Sequence, residues 1–379
     1  MQPALQALLL CIDDKVVRVL RRVLGELEIG IEHCMDADSA VHKLTRQRFE
    51  AVIVDCTTLD VASRILKGTQ ASPVNKRAIT VAILDGQSSS EQKSLKSAFA
   101  LGAHFVLFKP VSLDKTKTSF RAVKALMKRE RRRHTRIPVE IPVDLHIEEG
   151  TTTERTITAD LGESGMAVKP KNFKLPPAFR VRFSLPGTAT EINCGGEIAW
   201  EARHLHGVRF RDLSLIAREE LKAWIARQLS AGDADDPPVN CKLTDLSLNA
   251  CYLQTESPFP VRTRLQLTMK VRKLELKVEG IVRVMHPGAG MGVEFTRSTA
   301  GETARVEDFI QTLMASEGAV PAIQVRPDAI DNSAKEFSAE HVAADEADPL
   351  LSLFRHRTDL STDAFHDELR KQRGMAQHA

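Results

Sequence analysis

Short apolar runs alternate with helical patterns along the first 130 residues. Four runs of four to six apolar residues are bounded by polar or turn residues, and they are Leu8–Ile12, Ala51–Val54, Ile79–Leu84 and Phe105–Phe108, with a weaker fifth near Gly30–Cys34. Between the first two, apolar residues recur at helical spacing, beginning at Val16 and ending at Leu27. Runs that are apolar on both faces are typical of strands buried between helices. The alternation therefore predicts a doubly wound parallel sheet.

Charged side chains follow three of these strands where each strand ends. Asp13 and Asp14 come after the run Leu8–Ile12, Asp55 comes after Ala51–Val54, and Lys109 comes after Phe105–Phe108. Reactive residues gather at the carboxyl ends of the strands in such sheets, so these side chains are expected to share a crevice. Carboxylate oxygens suit Mg²⁺, and a carboxylate neutralised in this way can attack phosphorus as a nucleophile. A lysine opposite can pair with the resulting acyl phosphate.

These residues resemble the acidic and basic positions of a response-regulator receiver domain, over about residues 5–128. The resemblance implies a flavodoxin-like fold in which Asp13, Asp14 and Asp55 hold Mg²⁺. It also implies that Asp55 is the phospho-acceptor, supplied by a histidine kinase, and that Lys109 contacts the phosphate.

Two positions depart from the receiver pattern. Leu84 and Asp85 end the fourth strand where receivers carry Thr or Ser, and Val106 replaces the usual switch aromatic. The serines at 88–90 could substitute for the missing hydroxyl only through a shifted loop. A receiver that mediates contacts without phosphorylation is therefore an alternative, as are polar strand ends without a function.

An internal repeat occupies the centre of the chain. Asp160–Met166 corresponds to Asp245–Cys251 and Gly207–Phe210 to Gly292–Phe295, with 47 residues from Asp to Gly in both copies. Period-two alternation with Gly and Pro punctuation predicts two small antiparallel barrels. Each is expected to end in a helix, Ile216–Leu229 and Thr303–Met314.

A run of arginines within residues 131–136 precedes the first copy, and Asp160–Gly165 follows it. Together these segments resemble a PilZ domain, which is a six-stranded barrel that commonly binds cyclic di-GMP. The resemblance assigns Arg132 and Arg136 to the R-x-x-x-R pair, with Arg131 as its neighbour. Arginine suits this ligand because its planar fork matches phosphate oxygens and stacks on a base.

The acidic turn of the motif is represented by Asp160, and its terminal glycine by Gly165. Gly162 stands where the family has Ser, and losing one neutral hydrogen bond costs about 0.5–1.5 kcal/mol, which weakens binding without abolishing it. Trp200 is expected in the barrel core.

The second copy is degenerate. Asp245 and Ser247 fit the PilZ pattern, but Ala250 replaces the glycine, no R-x-x-x-R precedes it, and its leader is too short for a first hairpin. We therefore expect a truncated PilZ-like barrel with a structural or partner-facing role. The predicted domains are 1–128 (receiver), 129–230 (PilZ), 231–316 (degenerate PilZ-like barrel) and 317–379 (mostly flexible tail, with short helices near Pro349–Phe354 and Ala364–Arg373).

Composition narrows the classes of function. The chain has 379 residues, a net charge of +3 and six cysteines without a C-x-x-C pair, which favours buried thiols in a reducing cytoplasm. No run of 18 apolar residues and no signal peptide are evident, so neither a membrane span nor export is expected. Residues 109–136 hold eleven Lys or Arg, but no helix-turn-helix signature or interleaved aromatics accompany them, so nucleic acid is a disfavoured partner.

The leading hypothesis is a non-enzymatic signalling adaptor. Its first PilZ domain binds cyclic di-GMP, its receiver modulates the output, and an unidentified downstream protein receives the signal. Because the last receiver helix continues into the arginine run without Gly or Pro, receiver state and ligand binding are expected to be coupled. The alternative is a degenerate receiver–PilZ scaffold that binds proteins and neither phosphate nor cyclic di-GMP.

Overall fold

The first 130 residues form a five-stranded parallel sheet with helices between the strands. Its elements are β1 Leu5–Leu10, α1 Asp14–Glu26, β2 Ile29–Cys34, α2 Ala37–Arg46, β3 Ala51–Asp55, α3 Leu59–Ala71, β4 Ile79–Asp85, α4 Glu91–Ala100, β5 Phe105–Lys109 and α5 Leu113–Arg133. The strand order β2-β1-β3-β4-β5 is that of flavodoxin-like sheets. The predicted fold class is confirmed.

The computed structural model describes residues 5–86, 91–147, 152–169, 175–202, 204–228, 237–296, 300–316, 318–331, 348–356 and 362–376. The serines at 88–90 lie outside these ranges. Two compact units are present: one comprises Met1–Glu130 and Asp236–Ala379, and the other comprises Arg131–Asp235. No helix within the described ranges is long and apolar enough to cross a membrane.

Helix α3 was not predicted from the sequence. Its buried residues Ala62, Ile65, Leu66 and Thr69 follow the i, i+3, i+4, i+7 spacing of an amphipathic helix. The helical pattern was therefore present in the sequence. Helix α3 packs on the side of the sheet that carries Val52 and Val54, and together they form one continuous core.

The unit of residues 131–235 is a closed six-stranded barrel preceded by a two-residue strand. Its elements are β6 Ile137–Pro138, β7 Pro142–Ile147, β8 Thr152–Gly162, β9 Gly165–Val168, β10 Ala178–Ser184, β11 Glu191–Ala202, β12 Leu205–Arg211 and α6 Leu215–Gln228. The order β8-β7-β10-β11-β12-β9 closes because β9 pairs back with β8. Helix α6 seals the core with Leu221, Trp224 and Ile225.

The second repeat forms a closed barrel with the order β13-β14-β17-β16-β15-β18. Its elements are β13 Val239–Leu246, β14 Ala250–Gln254, β15 Thr263–Val271, β16 Leu274–His286, β17 Gly290–Phe295, α7 Ala300–Met314 and β18 Ala322–Ile330. Two further helices follow, α8 Pro349–His356 and α9 Thr362–Ala376.

Strand β18 corrects the predicted domain boundary at residue 316 and part of the predicted flexible tail. It pairs antiparallel with β13 and β15, as β7 pairs with β8 and β10 in the first barrel. The strand that precedes the motif in one copy therefore follows the closing helix in the other. This permutation explains why the leader of the second copy is too short for a hairpin.

The second barrel and the parallel sheet share one unit. Helix α5 places Ala122 in the core cluster of the barrel, and the barrel places Ile330 in the core cluster of the sheet. Arg129 Nη2 lies 3.1 Å from Asp328 Oδ1, and the Ile330 amide donates to Glu130 Oε1 at 2.5 Å. These contacts make the barrel a structural partner of α5.

Candidate functional site

The carboxyl edge of the parallel sheet brings Asp55 and Lys109 together, as predicted. Lys109 Nζ donates to Asp55 Oδ2 at 2.9 Å, while the hydroxyl of Thr57 donates to Oδ1 at 2.7 Å. Burial opposes ionisation of both partners, but these hydrogen bonds more than offset it. The pKa of Asp55 therefore lies below its usual value and the pKa of Lys109 lies above its own.

Cys11 is a member of this pocket that the sequence analysis missed. Its Sγ donates to Asp55 Oδ2 at 3.3 Å because Leu10 pairs with Val54, which sets Cys11, the residue after β1, level with Asp55. Burial, together with the neighbouring Asp55 carboxylate, raises the pKa of the Cys11 thiol to about 12. Cys11 is thus a neutral donor at physiological pH and not a nucleophile.

The three carboxylates predicted to hold Mg²⁺ do not gather around one point. Asp13 accepts from the amides of Lys15 at 2.9 Å and Val16 at 3.3 Å and so caps α1, while Asp14 is exposed at the first position of that helix. Within the described ranges, no group of three or more His, Cys, Asp and Glu side chains is arranged to hold a metal ion. Asp13, Asp14 and Asp55 therefore do not fit a magnesium site in this structure.

The first barrel brings the arginine arm to the acidic turn. Strand β6 pairs with Asp160 and Leu161, which places Arg136 Nη1 2.7 Å from Asp160 Oδ1. The Arg136 side chain keeps 37% of its surface exposed, so this ion pair faces solvent. Two predicted ligand residues, 24 positions apart in sequence, therefore meet.

The other two arginines lie in the last turn of α5. Arg131 is half-buried and Arg132 is only 4% exposed. The R-x-x-x-R pair is thus divided, with Arg136 on the barrel surface and Arg132 packed at the end of the helix.

Gly162 allows the arm to lie close to the turn. A Cβ atom at this position would lie 3.3 Å from Arg136 Cγ and 3.3 Å from the carbonyl oxygen of Thr135. Gly162 also pairs with Gly165 across the β8–β9 turn. The glycine that replaces the family serine therefore gives up a hydroxyl and gains close packing of the arm.

Trp200 lies outside the barrel, and the prediction that it belongs to the core is wrong. Its side chain is 43% exposed, whereas Trp224 fills the core with 3% exposed. A bulge between Ile198 and Trp200 shifts the register of β11 and turns the indole outward. A second bulge, between Thr158 and Asp160, turns the Asp160 carboxylate outward in the same way.

These bulges create a row of outward positions across four neighbouring strands. Asp160 pairs with Ala167, Ala167 with Gly207, and Gly207 with Trp200. A Cβ atom at Gly207 would fall 2.2 Å from Trp200 Nε1, so the indole lies directly on this glycine. We call these four residues the outer row. It has a charged end at Arg136–Asp160, two small residues in the middle and an aromatic ring at the other end.

Comparison with known proteins agrees with this geometry. A model of the PilZ domain family matches two stretches of the chain, residues 130–227 and 230–312. Among solved structures, a PilZ domain of CeSA from a cellulose-synthesizing bacterium is similar at 24% identity, with a TM-score of 0.21, covering 24% of this chain and 94% of that one.

The N-terminal region is similar to receiver domains. One belongs to a sensor histidine kinase of Pseudomonas aeruginosa and was solved with magnesium in its cleft (20% identity, TM-score 0.28, 33% of this chain and 98% of that one). Another is a chemotaxis response regulator of Vibrio cholerae (16% identity, TM-score 0.29, 32% and 99%). Comparison with curated proteins found no match. The fold assignment rests on the sheet order, and the PilZ assignment on the family model.

Proposed function

We propose that the protein is a signalling adaptor that binds cyclic di-GMP on the outer row of its first PilZ domain. The observation that carries the proposal is the contact between Arg136 and Asp160 at one end of the outer row, with the exposed Trp200 at the other end. An accessible arginine, an outward carboxylate and an exposed indole ring are the groups that a phosphate and a guanine require.

Each group has a distinct role in this proposal. Arg136 exchanges its contact with Asp160 for phosphate oxygens, which it can meet bidentately. Asp160, once released, accepts hydrogen bonds from the guanine edge. Trp200 stacks on a base, an interaction worth about 1–3 kcal/mol.

Calorimetry of the purified full chain with cyclic di-GMP tests the proposal. We expect saturable binding in the wild type and a loss of roughly tenfold to hundredfold in Arg136→Ala, since hydrogen bonds from a charged group are being removed. Arg155→Ala is the matched control, because Arg155 also pairs with an aspartate on this barrel, at 2.9 Å from Asp144. A folded wild type that gives no binding heat would favour the protein-binding scaffold instead.

Tryptophan fluorescence tests whether the ligand binds on the outer row. The chain has two tryptophans, so Trp200→Phe leaves Trp224 as the remaining emitter. Ligand addition should change the emission of the wild type and leave that of Trp200→Phe nearly constant. A persistent change in the variant would place the ligand elsewhere.

For the receiver we propose a docking role that does not depend on phosphorylation. Its pocket holds Asp55 between Lys109, Cys11 and Thr57, it lacks a fitting set of metal ligands, and its α5 is built into the second barrel. Acetyl phosphate with Mg²⁺ should therefore add no phosphoryl group by intact mass. A phosphorylated wild type alongside an unmodified Asp55→Asn variant would restore the phospho-acceptor role, and with it a histidine kinase as partner.

A further inference from the structure

The second barrel repeats the outer row on its own surface. Asp245 pairs with Tyr252, Tyr252 with Gly292, and Gly292 with Val284, and bulges in β13 and β16 turn the two end residues outward. We call these four residues the second row. It matches the outer row strand by strand, with Val284 in the place of Trp200.

Helices α8 and α9 cover the second row. Side chains of the row and of both helices form one buried apolar cluster together with Ala250 of β14. Its other members are Tyr252, Val284, Leu350, Leu351, Leu353, Phe354, Phe365 and Leu369. The ring of Phe354 lies so close to the row that a Cβ atom at Gly292 would fall 2.7 Å from its Cζ. The row that ends in an exposed ring on the first barrel is covered by two helices of the chain itself on the second.

The motif turn of the second barrel binds a carboxylate. Asp348 Oδ2 accepts from Ser247 Oγ at 2.8 Å, from Asn249 Nδ2 at 2.7 Å and from the Asn249 amide at 3.2 Å. Its other oxygen accepts from the Leu351 amide at 3.1 Å and so caps α8. With 4% of its surface exposed, Asp348 is a buried anion that depends on these donors.

An ion pair holds the other end of α8. Arg355 Nη2 lies 2.5 Å from Glu294 Oε1, and Glu294 Oε2 accepts from Arg283 at 2.5 Å. Both partners of the Arg355–Glu294 pair are nearly buried, at 11% and 12% exposed. Helix α8 therefore meets the barrel through a charged contact at each end and an apolar face between them.

We propose that the second PilZ domain is a peptide-docking domain whose ligand is a helix with an acidic N-cap and aromatic side chains, and that its resident ligand is the α8–α9 segment of the same chain. Asp348 takes the anion position of the motif turn, and the aromatic side chains cover the second row. This occupancy excludes any other ligand from the surface. The proposal concerns the second barrel and does not depend on nucleotide binding by the first.

Hydrogen exchange of the full chain, read by mass spectrometry, tests the role of Asp348. Asp348→Ala should speed exchange across 349–356 and 362–376 by roughly tenfold to hundredfold, because charge-assisted hydrogen bonds to the turn are lost and local opening becomes easier. Asp363→Ala, a change of an exposed carboxylate in the first turn of α9, should leave exchange unaltered. Unaltered exchange in Asp348→Ala would overturn the proposal.

A double-mutant cycle separates a direct contact from general destabilisation. Ser247→Ala/Asn249→Ala should speed exchange of the same two helices. Adding Asp348→Ala should then add only the loss of the cap on Leu351, so the combined effect should be smaller than the sum of the separate effects. Additive effects would mean that the turn and Asp348 act independently, against the proposal. If Asp348→Ala also exposes β13–β17, Asp348→Asn replaces it in the cycle, because the amide keeps the shape and removes the charge.

Discussion

The two barrels share a strand order and a row of outward residues, and they differ in what meets that row. On the first barrel, the arm that precedes β7 brings Arg136 to the motif turn, and the row ends in an exposed Trp200. On the second, the chain that follows β18 brings Asp348 to the turn, and two helices cover the row. The same row is thus covered by the chain itself in one copy and ends in an exposed ring in the other. The sign of the charge that reaches the turn distinguishes the two copies.

The two barrels differ most in where one strand lies in the sequence, because β7 precedes the motif of the first barrel and β18 follows the closing helix of the second. Truncation before β18 should therefore have the largest effect on stability. A chain ending at residue 316 lacks β18 and loses the buried side chains Ile323, Val325 and Ile330, which together contribute at least about 5 kcal/mol. We expect the unit that contains the second barrel to lose its cooperative unfolding transition, followed by circular dichroism. A chain ending at residue 331 should retain the transition; equal behaviour of the two chains would contradict the role of β18.

The next largest difference is expected in how much an ion pair contributes to stability in each of the two units. Asp328→Ala removes a carboxylate that pairs with Arg129, whose side chain is 6% exposed, and should lower the free energy of unfolding by up to about 3 kcal/mol. Asp144→Ala on the first barrel removes the partner of Arg155, which is 76% exposed, and should cost at most about 1 kcal/mol. Chemical denaturation measures both. Similar losses would mean that Arg129 and Asp328 do not depend on each other.

The cover on the second row should be sensitive to acid. Burial, and then the nearby His366, lower the pKa of His286 from 6.5 to about 4, and its Nδ1 lies 3.0 Å from the Tyr252 hydroxyl. The unfolded chain binds a proton at His286 more readily than the folded chain does. The free energy of unfolding should therefore fall by up to about 3 kcal/mol as the pH falls from about 6.5 to 4, with no further loss from this residue below pH 4. His286→Phe should flatten this part of the profile of unfolding free energy against pH. An unchanged slope would assign the acid sensitivity to other groups.

The smallest expected change concerns the exposed indole. Trp200→Ala should alter the free energy of unfolding by no more than about 0.5 kcal/mol, whereas Trp224→Ala should cost about 3–5 kcal/mol because it empties part of the core. Thermal unfolding of both variants measures these two losses and so distinguishes a surface residue from a core residue. A large loss in Trp200→Ala would show that the outer row serves stability.

Sequence reasoning succeeded where the signal was local. The apolar runs predicted all five strands of the parallel sheet, and the repeat spacing predicted two barrels, each followed by a helix. Asp55 with Lys109, and Arg136 with Asp160, were paired through motif resemblance, and the structure places both pairs in contact.

The failures were non-local. Trp200 was expected in the core, but a bulge between Ile198 and Trp200 reverses the facing of the strand, and no local sequence pattern marks such a bulge. Strand β18 was missed because its partners lie on the far side of a helix in sequence. Cys11 entered the pocket through strand register alone, and Asp348 reached the motif turn from 99 residues beyond Asn249.

The contact between Glu130 and Ile330 joins residues 200 positions apart, and the whole first barrel lies between them in the chain. During synthesis at about 5–20 residues per second, α5 leaves the ribosome roughly 10–40 seconds before its partner strand exists. The first barrel can close within that interval, while α5 still presents Ala122 and Arg129 without the second barrel. The nascent chain therefore passes through a stage in which every strand of the first barrel has been synthesised and the larger unit still lacks its second barrel.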